Sequence, residues 1–307
     1  MVQNIILVPI PRRAIDDLIS GGQNRFVIKA GNRFRGTLEL IRGTAGHLGA
    51  GVFKTARLAK LTMVEWDPTV TLTKGSGLPT RVASKRFYVP AKDTGLAQRS
   101  RLTPQDEYGR IEMEANILYW AHALLEMVYA FARRIIQEEK RVPPKALPEF
   151  RFVHGGVALT WSQENGGKAA GKLVCATIVE ELIEIPPGAK FTKYIANGQA
   201  TPLLKYGDPG FEEACFLACC QHVQYVKTYK LAYISDLQGK HRGGHAQGTD
   251  IGLGYGFTLT DPQIMSQESK GGLFGDGNVF EAFSQFEREH MCNEWCAWFG
   301  LEAFRVS

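Results

Sequence analysis

Two groups of residues in the C-terminal third have types and spacings that could do chemistry. His290, Cys292 and Cys296 fall within one seven-residue run, and His222 stands fourteen residues before Asp236. Two imidazoles and two thiolates around one ion make a tetrahedral Zn2+ site, closed because four protein ligands leave no position for water. Cys219 and Cys220 lie beside His222 and are competing ligands. Between the soft donors lie Asp236-Leu237-Gln238 and Asp261-Pro262. Their oxygens suit a hard cation such as Mg2+. The pattern predicts a zinc-locked scaffold that carries a magnesium and phosphate site. A zinc hydrolase is the weaker alternative, since hydrolysis needs an open coordination position.

The elements that must position these groups can be read from periodicity. Residues 211–225 are apolar and predict a helix feeding His222, and residues 229–234 predict a strand ending at Asp236. The Gly-rich stretch 239–257 contains His241 and His245 and reads as a surface loop, with metal binding by the two imidazoles as the alternative. Upstream, Gly49 and Gly51 precede a β-branched and aromatic run, which predicts a strand, a loop and a second strand over 48–57. Residues 82–88 alternate as a strand with Lys85 on one face, and Lys92 is the rival basic residue. Thr103-Pro104 is a helix start, followed by apolar residues at helical spacing up to Lys140. Glu114 sits early on that helix, where it could pair with a strand lysine. Residues 150–157 and 172–179 predict strands around a polar turn at 164–171. Near the N-terminus, 26–29 and 38–41 have strand composition and flank Gly31-Asn32.

Composition narrows the class without choosing it. The 307 residues are 44% hydrophobic and 22% charged, with a net charge of +5. Those values are ordinary for a globular protein, and the charge is too mild to indicate a nucleic-acid surface. Residues 115–132 include His122 and Glu126 and predict a buried helix, not a membrane span. Six cysteines, two of them in the metal-like run, argue for a reducing compartment, so cytoplasm or nucleus is expected.

Four short motifs occur in order: Asp236-Leu237-Gln238-Gly239, Thr260-Asp261-Pro262-Gln263, Gly275-x-Gly277-Asn278 and His290-x-Cys292-Asn293-x-x-Cys296. Together they resemble the signature of the alpha-kinases, a family of atypical protein kinases, and the likeness extends over residues 45–301. Lys193-Tyr194-x-x-Asn197-Gly198 matches loosely. The resemblance implies an α+β, two-lobed protein-kinase-like fold with a structural zinc site in the C-terminal lobe. Residues 1–45 would be an extension packed on the N-terminal lobe or part of it, 46–185 the N-terminal nucleotide-binding lobe and 186–307 a catalytic and zinc-binding lobe. It implies ATP, Mg2+ and structural Zn2+ as cofactors and a protein Ser or Thr hydroxyl as acceptor.

Roles follow by motif. Gly49, Gly51 and Lys54 would form the nucleotide loop, Lys85 would hold the α- and β-phosphates, and Glu114 would orient Lys85. Main-chain groups at Glu180 and Leu182 would read adenine. Asp236 and Gln238 would hold Mg2+, with Asp236 and Asp261 sharing metal binding and acceptor orientation. Gly275, Gly277 and Asn278 would meet the protein substrate. The sequence departs from the family pattern at Lys54, where Arg is usual, at Ile185-Pro186-Pro187, at Phe280 in place of a Gly, and in the longer 239–257 loop. Those departures leave a second reading, a zinc-stabilised nucleotide-binding or interaction module of the same fold that has lost transfer.

Overall fold

Along β4 (Lys54–Met63) Ala59, Leu61 and Met63 are buried while Lys60 between them is exposed. Such alternation gives a strand one wet and one dry face. The structure, a computed structural model, describes residues 2–51, 53–89, 100–162, 172–186, 188–241, 256–267 and 272–304. These fall into two compact units. One comprises Met1–Pro11, Arg25–Asn116 and Val153–Leu182, and the other Arg12–Asn24, Ile117–Phe152 and Ile183–Ser307. The expected blocks 1–45, 46–185 and 186–307 are contiguous, whereas the units are interleaved, and the boundary at 116/117 lies inside a single helix, α2 (Pro104–Gln137).

The first unit is built on β1 (Val2–Pro9), β2 (Phe34–Leu40), β3 (His47–Ala50), β4, β5 (Thr80–Phe87), β7 (Gly155–Trp161) and β8 (Leu173–Glu181). The sheet runs β2-β1-β7-β8-β5-β4-β3, and β2 also pairs with β4. That extra pairing closes the sheet on itself. Ile5, Leu7, Leu38, Leu61, Met63, Val82, Ala158 and Val179 fill its interior. By the register Lys54 opposite Phe87, Ala56 opposite Lys85 and Ala83 opposite Glu180, the side chains of Lys54, Lys85 and Glu180 share the outer face.

The second unit holds α1 (Ile15–Ile19), β6 (Glu149–Phe152), β9 (Thr192–Ile195), α3 (Phe211–Lys227), β10 (Ala232–Ser235), β11 (Leu237–His241), β12 (Gly256–Thr260), β13 (Gln263–Ser266), α4 (Phe280–Glu289) and α5 (Glu294–Trp298). Its strands form a four-stranded sheet, β6-β12-β11-β9, and a pair, β10-β13. Tyr225, Tyr233, Met265, Phe283 and Phe286 make an aromatic core beneath α3 and α4.

Two expected strands differ. Residues 26–29 are not a strand, because the Phe26 N–H is taken by Asn116 Oδ1 (2.8 Å) and the Lys29 N–H by Asn32 Oδ1 (3.1 Å). Local and helix side chains thus satisfy the backbone in place of a ladder. The expected strand 150–157 breaks at Val153-His154 into β6 and β7, which belong to different sheets. The helix starts as expected: Thr103 Oγ1 accepts the Asp106 N–H (3.2 Å). Lys92, His245, the turn 164–171 and Pro187 lie outside the described residues. Among the described residues, no helix is long and apolar enough to cross a membrane.

Candidate functional site

Asp236 and Asp261 sit at a single fault in one antiparallel ribbon. Ser235 pairs with Gln263 in the β10–β13 ladder, and Gln238 pairs with Thr260 in the β11–β12 ladder, in the same register. Between the ladders both strands kink. Asp236 takes φ 57° and Asp261 φ 52°, the left-handed region that L-residues rarely occupy. The continuing register sets Leu237 opposite Asp261, so the two acidic residues lie on facing strands one position apart. Local sequence makes this possible. Asp is among the few side chains that tolerate such a backbone, and Pro262 has no N–H to lose from a ladder. Gly239 lets the strands close beyond the fault, because a Cβ there would lie 2.1 Å from the Thr258 carbonyl oxygen.

The charge at this fault is partly balanced. Lys193, opposite Gln238 on β9, donates to Asp236 Oδ1. A register shift between Leu237 and Gln238 accompanies that pairing. Gly198 N–H donates to Ser235 Oγ (3.0 Å), and that hydroxyl donates to the Ala196 carbonyl (3.2 Å). The turn Gly275–Gly277 lies close by: Asn197 Nδ2 donates to the Gly277 carbonyl (3.3 Å), and Asn278 is bonded twice to Ser266, each at 2.9 Å. Phe280 begins α4 and is 43% exposed. The fold thus brings together Asp236, Gln238, Asp261 and the glycine turn. It adds Lys193, whose loose motif match was the one signal available in sequence.

The four soft donors converge in the same unit. His222 from α3 and His290, Cys292 and Cys296 around α5 place one donor atom each within 4.8 Å of one another. Cys292 Sγ is 3.6 Å from His222 Nδ1, and Cys296 Sγ is 3.5 Å from His290 Nε2. His290 Nδ1 approaches the Ala200 carbonyl (3.4 Å), which leaves Nε2 to face the cluster. Asn293 caps α5 by accepting the Trp295 and Cys296 N–H groups and anchors itself on the Cys215 carbonyl (2.8 Å). A hydrogen bond from Cys219 holds the Cys296 thiol well below its usual range, against its burial and with help from both imidazoles and the backbone at Asn293. Among the described residues Cys219 and Cys220 are outside the four-donor group. Phe304 covers it, with its ring 4.3 Å from that of His222.

In the first unit, cations on the strands meet carboxylates on neighbouring elements. Lys85 Nζ meets Glu180 Oε2 at 2.6 Å, both side chains below 10% exposed. Lys54 pairs with Glu114. Arg86 forks onto Glu107, with Nη2 to Oε2 at 2.9 Å, and Glu107 also accepts the Ala176 N–H (3.2 Å). One expected pairing is corrected here. Glu114, expected on Lys85, is found on Lys54, because the β4 hairpin brings Lys54 to the outer face near α2. Glu180 lies inside β8 with β5 and β7 on either side, and its carboxylate meets Lys85. Leu182 directly follows β8.

The architecture is that of the alpha-kinase catalytic fold, mixed helix and sheet. The alpha-kinase family model matches residues 81–296, so the chain belongs to the alpha-kinase family. An alpha kinase from Entamoeba histolytica is similar in structure, with a TM-score of 0.56 and 17% identity over 99% of this chain and 92% of that one. The inactive alpha-kinase domain of myosin heavy chain kinase A, solved in complex with ATP, gives 0.53 and 16% over 99% of each chain. The same domain with AMP-PNP gives 0.52 and 15%, over 99% of this chain and 97% of that one. No curated protein sequence matches this chain.

Proposed function

We propose that this chain is an ATP-dependent protein kinase that transfers the γ-phosphate to a Ser or Thr hydroxyl of a protein. The reading rests chiefly on Asp236 and Asp261, held at left-handed kinks on facing strands. Such backbone states cost of order 1–3 kcal/mol each and persist where the site needs them. Asp236 and Gln238 supply the hard oxygen donors for Mg2+, and the cation supplies charge neutralisation on the transferred phosphoryl group. Asp236 and Asp261 divide metal holding and orientation of the acceptor hydroxyl between them. Lys193 fixes the Asp236 carboxylate.

In the first unit, Lys85 meets the α- and β-phosphates. Gly49 and Gly51 let main chain approach them. Neither glycine has a positive φ, and among the described residues an added Cβ meets nothing within 4 Å at Gly49 and only the Lys54 carbonyl, at 3.8 Å, at Gly51. Folding therefore does not demand glycine there, which supports ligand approach as the reason. The ATP complex of the myosin heavy chain kinase A domain supports nucleotide binding by the same fold.

Zn2+ at His222, His290, Cys292 and Cys296 is structural in this reading. Nitrogen and sulfur ligands at their usual zinc distances and a tetrahedral angle lie about 3.6 Å apart. The two nitrogen–sulfur contacts of 3.5 and 3.6 Å fit that edge. The direct test is incubation of the purified chain with γ-labelled ATP, Mg2+ and a basic acceptor protein. Label should appear on the acceptor and be lost with Asp261→Asn; folded, zinc-containing protein that labels nothing would remove the proposal.

A further inference from the structure

Gln263 opens β13 opposite Ser235, two residues after Asp261 and one rung from Asp236. Its backbone is therefore fixed at the fault that carries both carboxylates. Its side chain runs to the glycine turn. A Cβ built on Gly277 would lie 1.6 Å from Gln263 Oε1 and 2.3 Å from Cδ, so the carboxamide fills the space that a side chain at 277 would take. Gly277 has no positive φ, whereas Gly275 has φ 63°. Glycine at 277 thus leaves room for the Gln263 carboxamide, and the backbone does not demand it. Two other contacts pin the same turn, Asn197 on the Gly277 carbonyl and Asn278 on Ser266. Gln263 is the contact that starts next to the acidic residues.

We propose that Gln263 is a positioning residue that sets the spacing between the Gly275–Gly277 turn and the carboxylates of Asp236 and Asp261, and thereby the seat of the acceptor protein segment. The inference rests on the kinase reading above and extends it to a residue to which that reading gives no part in holding nucleotide or metal. A neutral amide suits this role, because it is long enough to reach the turn and adds no charge beside two carboxylates. Small errors in such a spacing matter, since misplacement by about 1 Å costs on the order of 10²-fold in rate.

The test uses Gln263→Ala, Gly277→Ala and the double variant in the full chain. The atom that a methyl group at position 277 would strike is the far end of a flexible side chain, so Gly277→Ala folds with Gln263 swung away. Both single variants should lose on the order of 10²-fold in kcat/KM for a protein acceptor, mostly as a raised acceptor KM. The rise in melting temperature on adding Mg-ATP should stay at the wild-type value. The double variant should be no worse than Gln263→Ala, because the added methyl then has room, a non-additivity that marks direct coupling. Amide exchange at residues 275–278 should quicken in Gln263→Ala. Acceptor KM at the wild-type value in both singles, strictly additive losses, or unchanged exchange at 275–278 would each overturn the role of Gln263 while leaving the kinase reading intact. A wild-type chain that transfers no phosphate sinks the kinase reading and this role with it.

Discussion

Replacing Asp236 by Asn, Ala and Gly separates its charge from its backbone. At φ 57° Asn is tolerated nearly as well as Asp, Gly better, and Ala is disfavoured by about 1–2 kcal/mol. The ion pair with Lys193 joins side chains 20% and 31% exposed, so solvent screening holds its worth to about 0–1 kcal/mol. Asn should therefore cost about 0–1 kcal/mol, Gly close to nothing and Ala about 1–3 kcal/mol. In a chain this size each kcal/mol moves the melting temperature by about 2–4 °C, which gives Ala a drop of about 2–12 °C. Phosphotransfer should behave differently. All three variants lose a carboxylate that positions metal and acceptor, so each should fall by about 10²–10³-fold or more, the order typical of one preorganised polar group. Melting curves and γ-phosphate transfer on the three proteins decide the matter. Activity that tracks melting temperature, with Gly and Asn near wild type and only Ala impaired, would rule out a chemical role for the carboxylate.

Other perturbations probe the supports. Glu107→Ala strands the Arg86 fork and the Ala176 N–H. Loss of one partner of a buried pair costs about 3–5 kcal/mol, and the 22% exposure of Arg86 argues for the lower end. Glu107→Gln, which keeps one acceptor, should cost about 1–2 kcal/mol, and urea midpoints will rank the two. Cys292→Ser should lower zinc below one ion per chain and unfold the second unit, since structural zinc binding is folding energy; metal analysis with circular dichroism checks this, and a well-folded variant with full zinc would contradict it. Lys85→Ala should shrink the rise in melting temperature that Mg-ATP produces by mass action.

Much of the fold was legible where the signal is local. The Thr103 start of α2, the β3–β4 hairpin and the strand around Lys85 follow from caps and alternation within a few residues. The four soft donors could be proposed because three of them share one short run. Partners far apart in sequence could not be read. Glu114 meets Lys54 across sixty positions and Asp236 meets Lys193 across forty-three, and charge type alone does not choose among the available lysines. The split of 150–157 was hidden for a related reason: an apolar run reads as one strand until two sheets compete for its halves. The left-handed kinks were also invisible, since Asp is as common in ordinary turns as at a strained site. Phe26 shows the remaining limit, because strand composition yields to a helix asparagine that takes its N–H.

Everything functional proposed for this chain depends on the fault in the ribbon, with Asp236 and Asp261 facing across it, transferring phosphate to a protein hydroxyl. Mass-spectrometric mapping of a protein acceptor after incubation with zinc-loaded chain and Mg-ATP probes that step itself. Phosphate is expected on Ser or Thr side chains with the wild-type chain, and its loss with Asp261→Asn protein that melts within a few degrees of wild type. Equal phosphate incorporation by wild type and Asp261→Asn, or none by a folded wild type that binds ATP, would contradict it.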